Sequence, residues 1–149
     1  MSGSSIGRWC GNAVAVGRLF PAYVAFAVLK RLVPVQTLAR WAWQPPRGAS
    51  NPEHIRQAVA RVWRTQGLAN LGDRDCLQRS LLLYRELSRL GANPTLMIGF
   101  RQAASQTQGH AWVVARDALG LEPPDLTQYV PAFGFGPHGE LVKGPRESF

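Results

Sequence analysis

The chain has 149 residues, 46% of them hydrophobic, with 17 basic against 9 acidic side chains and a formal charge of +8. That length fits one domain able to bury about two-thirds of its unfolded surface, and the composition excludes a disordered or low-complexity chain. The arginines are spread along segments of helical period, and no zinc-finger spacing, RNA-recognition signature or Gly-rich phosphate loop accompanies them. The charge therefore reads as solvated helix faces plus a partner surface, with no nucleic acid.

Gly3-Ser4-Ser5 marks a frayed start. Trp9 to Lys30 predicts a helix, kinked or broken at Pro21. Its Phe20–Leu29 part is nearly all apolar but falls far short of the ~20 residues a membrane span needs. Neither the basic start nor the cleavage site of a signal peptide is present, so a cytoplasmic location is expected. The segment is read as packing on its own domain or on a partner, with peripheral membrane contact as the alternative. Pro34 opens a second helical stretch, Val35–Trp43, and Gln44–Ser50 is a breaker-rich linker. The expected division is thus residues 1–50, hydrophobic helices and linker, and residues 51–149, the core.

Asn51-Pro52-Glu53 has the form of an N-cap, a first-position proline and an acidic first turn. Ile55, Val59, Val62 and Trp63 continue that helix to about Gln66, and Gly67–Gly72 is a loop. Asp73 or Asp75 caps the next helix, apolar from Leu77 to Leu90, and Gly91 supplies a left-handed C-terminal residue with Pro94 beyond. The period then changes. Thr95–Phe100 and Ala111–Ala115 read as strands separated by a polar loop or hairpin tip, Gln102–Gln108. Arg116–Gly120 is a turn, Leu119–Glu122 a short third strand, and the Gly/Pro-rich tail is irregular. Helices followed by an antiparallel sheet make an α+β domain.

Chemistry concentrates at two residues. Of the two cysteines, Cys10 and Cys76, the second stands at a helix start, where unsatisfied N–H groups and the helix dipole favour a thiolate. Cys76 also shares a stripe with Leu83, Leu87 and Leu90, so a plain core cysteine is the competing reading. His110 stands between a flexible Gly109 and a clean strand, a position able to point an imidazole at a helix terminus, whereas His54 and His138 read as surface residues. Closing a hairpin around Arg116 sets Glu122 opposite His110, with Asp125 second and Asp117 a turn residue. Cysteine, histidine and carboxylate in that order follow the arrangement of transglutaminase-like and papain-like enzymes. No cofactor or metal site is expected.

Arg74-Asp75-Cys76-Leu77, then Thr95–Arg101, then Gly109-His110-Ala111-Trp112-Val113-Val114 resembles the transglutaminase-like leader peptidases of lasso-peptide biosynthesis, over roughly residues 55–130. The resemblance implies a core with the cysteine at a helix N-terminus on a small antiparallel sheet, and a cysteine peptidase that removes the leader from a ribosomally made precursor peptide. A macrolactam-forming cyclase would then close the ring. The chain leaves no room upstream for a fused leader-recognition domain, so a separate small leader-recognition protein is expected, with the hydrophobic N-terminal helices as a docking surface. Two positions depart from the family pattern. Val114 replaces a common glutamate, and Glu122 stands where an aspartate is usual, which leaves Glu122 and Asp125 both open as third member. The rival readings are acyl transfer to an amine on the same fold and a non-catalytic scaffold that binds the precursor.

Overall fold

The computed structural model describes residues 5–69, 76–115 and 128–143. Four helices, α1 (Ser5–Leu29), α2 (Val35–Ala42), α3 (Pro52–Ala69) and α4 (Cys76–Arg89), precede four strands, β1 (Thr95–Ala103), β2 (Gln106–Val114), β3 (Val130–Phe135) and β4 (Leu141–Lys143). The strands form one antiparallel sheet in the order β2-β1-β3-β4, so the expected α+β class holds.

α1 continues as one helix through Pro21, without the break that was one expected alternative. Proline removes one backbone donor and crowds the carbonyl four residues back. Here that carbonyl belongs to Gly17, which is exposed and has no atom within 4 Å of its missing side chain, so water can satisfy it. α3 begins as its sequence predicts, with Asn51 Oδ1 accepting from the Glu53 N–H at 2.9 Å. It ends later than predicted. The helix continues past Gly67, an exposed position with open space around it, where a glycine carries only its intrinsic penalty.

α4 closes with two reverse hydrogen bonds, Ala92 N–H to Leu87 O at 3.1 Å and Gly91 N–H to Ser88 O at 3.0 Å. Gly91 takes φ 73°, the left-handed cap that the sequence called for. It also lies against the linker, since a Cβ there would come within 2.7 Å of Gly48 O. The linker is held along α4 by Gln44 N–H to Ser88 Oγ at 3.1 Å and Arg47 N–H to Arg89 O at 2.9 Å.

The tail, expected to be irregular, forms β3 and β4 instead. Its glycines answer to packing. A side chain at Gly134 would meet Met97 Sδ at 2.7 Å, so glycine lets β3 lie flat beside β1. Pro131 pairs with Gly99 next to a register shift, the kind of irregular place where a strand tolerates proline. Between β3 and β4, a single 3-10 turn at Pro137–Gly139 docks on α2, and His138 stacks on Trp43 with ring centroids 4.0 Å apart.

One apolar cluster joins these parts. Tyr23 of α1, Leu38 of α2, Leu81 and Leu87 of α4, Leu96 of β1 and Phe135 of β3 are all fully buried within it. Tyr84 reaches from α4 to the 3-10 turn, where its hydroxyl donates to Gly136 O and accepts from Gly139 N–H at 3.2 Å. Burial pushes its pKa up to about 12, opposed by the Gly139 hydrogen bond and assisted by the charge of Glu140.

Candidate active site

Cys76 is the first residue of α4, a half-buried free thiol. The opening turn of a helix has N–H groups without intrahelical partners, which can hold a developing negative charge. That turn is fastened to α1 through Gln78, a fully buried side chain whose Oε1 accepts from Lys30 Nζ at 2.8 Å.

Ser80 lies four residues beyond Cys76, on the same side of the helix one turn on, about 6 Å along the axis. Its buried hydroxyl donates to Ala111 O at 2.9 Å. Ala111 follows His110 on β2. This hydrogen bond thus holds the helix one turn past the thiol against the strand one residue past the imidazole. Cys76 begins α4, whereas His110, expected at a strand start, stands mid-strand in β2, because Gln106–Gly109 pair with Phe100–Ala103 and extend the strand upstream of it.

Register then decides what surrounds the histidine. Leu96 pairs with Val113 and Ile98 with Ala111, and these four belong to the face turned to the helices; Met97 with Trp112 and Gly99 with His110 occupy the other face. β2 is an outer strand of the sheet among the described residues, and α4 is bonded along it through Ser80. The half-buried His110 ring is flanked by Tyr129, at 4.8 Å between centroids and 30° between planes, and by Trp112, at 6.2 Å and 19°. Trp112 in turn lies over bare backbone, because a Cβ on Gly99 would be 2.7 Å from its indole and 2.8 Å from Val130 O. The Arg101 guanidinium also sits 5.1 Å from the Tyr129 ring centroid, held by hydrogen bonds to Gln108 at 2.9 Å and Gln128 at 2.7 Å.

His54 is exposed on α3 and His138 packs on Trp43 beyond β3, so neither belongs to this cluster. The carboxylates Glu122, Asp125 and Asp117, the helix-capping Asp73 and Asp75, and the third strand drawn over Leu119–Glu122 lie outside the described residues. Among the described residues, no group of three or more His, Cys, Asp or Glu side chains could hold a metal ion. Three contributors escaped the sequence reading: Ser80, the Trp112–Gly99 contact and Tyr129. The first two carry a signal, a serine inside a leucine-rich helix and a glycine inside an apolar strand, each a mark of close approach. Tyr129 carries none, since it reaches His110 only through the β1–β3 pairing.

A helix that starts on a cysteine is thus bonded to a strand that carries a histidine. A sequence profile of the transglutaminase-like superfamily matches residues 16–133. The chain belongs to the transglutaminase-like superfamily. This superfamily includes cysteine peptidases and acyltransferases, and the match takes in α1 through most of β3 as well as both Cys76 and His110. Neither the curated proteins nor the solved structures give a significant match. The superfamily's α+β core, with a cysteine at the N-terminus of a helix packed on a small antiparallel sheet, is the fold observed.

Proposed function

We propose that the protein is a cysteine peptidase that cuts the leader from a ribosomally synthesised precursor of the lasso-peptide class. The observation that supports it most is the Ser80–Ala111 hydrogen bond, which joins the helix that Cys76 begins to the strand that carries His110. The narrowing from superfamily to leader peptidase rests on the sequence resemblance around Cys76, Ile98-Gly99 and His110-Ala111-Trp112.

In this reading His110 takes the thiol proton of Cys76, and the sulfur adds to the carbonyl carbon at the leader–core junction. Backbone N–H groups of the first turn of α4, that of Cys76 included, receive the oxyanion. The C–N bond breaks as the imidazolium returns its proton to the leaving amine, leaving a thioester. Water, deprotonated by His110, then adds to the thioester, and the thiolate departs. Tyr129 and Trp112 hold the imidazole plane through these transfers. Glu122 or Asp125 would orient the imidazole and stabilise its charged form.

The partners in this scheme are the precursor, a separate small leader-recognition protein and a downstream macrolactam-forming cyclase. The test is mass spectrometry of a precursor peptide incubated with the chain and its leader-binding partner. Wild type should release leader and core, with Cys76→Ala and His110→Ala each inactive while keeping the wild-type circular dichroism. Robust cleavage by the Cys76→Ala protein would falsify the proposal. A product heavier by an amine nucleophile, in place of free acid, would assign the site to acyl transfer. Glu122→Gln beside Asp125→Asn identifies the third member by which one loses activity.

A further inference from the structure

The outer face of α1, expected from the sequence to dock a protein partner, has a composition that the chemistry assigned to Cys76 does not use. From Phe20 to Val28 every exposed residue is apolar: Phe20, Pro21, Val24, Ala25 and Val28. Phe20 and Val24 are each 42% exposed and Val28 55%, while Leu19, Tyr23 and Phe26 on the inner face are buried. Exposed arginines, Arg18 and Arg31, close the two ends of this row. The charge around it is one-sided. Six of the chain's basic residues and none of its acidic ones lie in residues 1–52.

We propose that α1 lies in the surface of an anionic lipid bilayer, with the Phe20–Val28 face entering the headgroup–acyl boundary and Arg18 and Arg31 at phosphate level. An apolar strip framed by long cationic side chains matches that boundary, where aliphatic stems are buried and charged heads stay with phosphate. No described helix is long and apolar enough to cross a membrane, so the contact is one of lying on the surface. A second copy of the chain fits poorly, because two segments without a single carboxylate would face each other and repel. A protein groove would need to fix a register, and the strip between Arg18 and Arg31 exposes no polar side chain to do so. The inference is independent of the chemistry assigned to Cys76.

Vesicle flotation of the full chain tests it. The protein should float with vesicles of phosphatidylcholine containing one-third phosphatidylglycerol, stay behind with phosphatidylcholine alone, and be released by high salt. Arg18→Gln and Arg31→Gln should each weaken binding roughly fivefold, the loss expected for one basic side chain at an anionic surface. Val24→Asp with Val28→Asp should abolish it, and since both sites are exposed, the melting temperature should stay near wild type. If that double variant does not fold, the two arginine variants carry the test alone. Failure to float with anionic vesicles, or binding indifferent to all these substitutions, overturns the proposal. So does a dimer, seen by light scattering without lipid, that Val24→Asp disperses, which would give the face to a second copy.

Discussion

The two ends of α4 are built on opposite principles. Its C-terminal half is closed on every side: Tyr84 is bonded twice to the 3-10 turn, Ser88 accepts from the linker, Glu86 pairs with Arg89 at 3.2 Å, and Gly91 caps the helix against Gly48. Among the described residues its N-terminal turn is fastened by side chains instead, Gln78 to Lys30, Arg79 to Gln66 at 3.3 Å and over the Trp63 ring, and Ser80 to Ala111, and its first residue is a half-buried thiol. A nucleophile needs a fixed position and an approach for substrate. The side-chain anchors of the first turn supply the fixed position, and the half-buried state of Cys76 supplies the approach.

Substitutions at the two ends should separate activity from stability, and the largest expected effect is at the thiol. Cys76→Ala should bring peptide cleavage below detection while moving the melting temperature by no more than a few degrees, measured by mass spectrometry and calorimetry on one preparation. If it instead melted as early as a core variant, Cys76 would be one more buried apolar side chain and the contrast between the ends would vanish. Ser80→Ala should lower both quantities, because it loosens the helix from β2 and leaves Ala111 O without its donor. A loss of about 1–3 kcal/mol is expected in chemical denaturation, with reduced turnover of the remaining folded protein.

At the closed end only stability should respond. Gly91→Ala forces a side chain into a left-handed backbone and against Gly48 O, for about 1–3 kcal/mol and no change in turnover per folded molecule. Tyr84→Phe removes the two hydrogen bonds of the hydroxyl, to Gly136 O and from Gly139 N–H, which keep their 3.0 Å bond to each other, and should cost about 1–3 kcal/mol near neutral pH. It also has a pH signature. The folded phenol titrates at about 12 against the ordinary 10, so below pH 10 both states keep the proton, and from 10 to 12 the unfolded chain releases it first. Wild type should therefore lose stability across that alkaline window more steeply than Tyr84→Phe. The smallest effect, about 1 kcal/mol, belongs to Asn51→Ala, which removes a cap far from either end.

What the residues announced and what they concealed follows the same division. The caps of α3 and α4 were legible because Asn51, Pro52 and Gly91 act on the backbone nearest to them. Cys76 opens its helix as the sequence indicated, whereas His110, read as opening a strand, stands in the middle of β2 because Gln106–Gly109 lengthen that strand. β3 and β4 were hidden because Pro131, Gly134 and Gly136 resemble loop residues, although Gly134 is a demand of Met97 on the neighbouring strand. The hairpin beyond Arg101 was shortened in the reading because Gln102–Gln108 pair outside the core, where no burial imposes alternation. Tyr129 beside His110 follows from strand pairing across the sheet, a relation that no local pattern contains.

The apolar cluster that runs from α1 to β3 also sets how the molecule comes apart. Leu19, Tyr23 and Phe26 close one wall around Leu81, Leu82 and Tyr84, the leucine and tyrosine run that carries the thiol at its head. A fragment starting at Pro52 would keep Cys76 and His110 yet open that wall to water. The chain should accordingly melt in a single transition, and peptidase chemistry and the N-terminal helices should be lost together on heating. Trimming it to a smaller catalyst would first require new side chains to replace that wall.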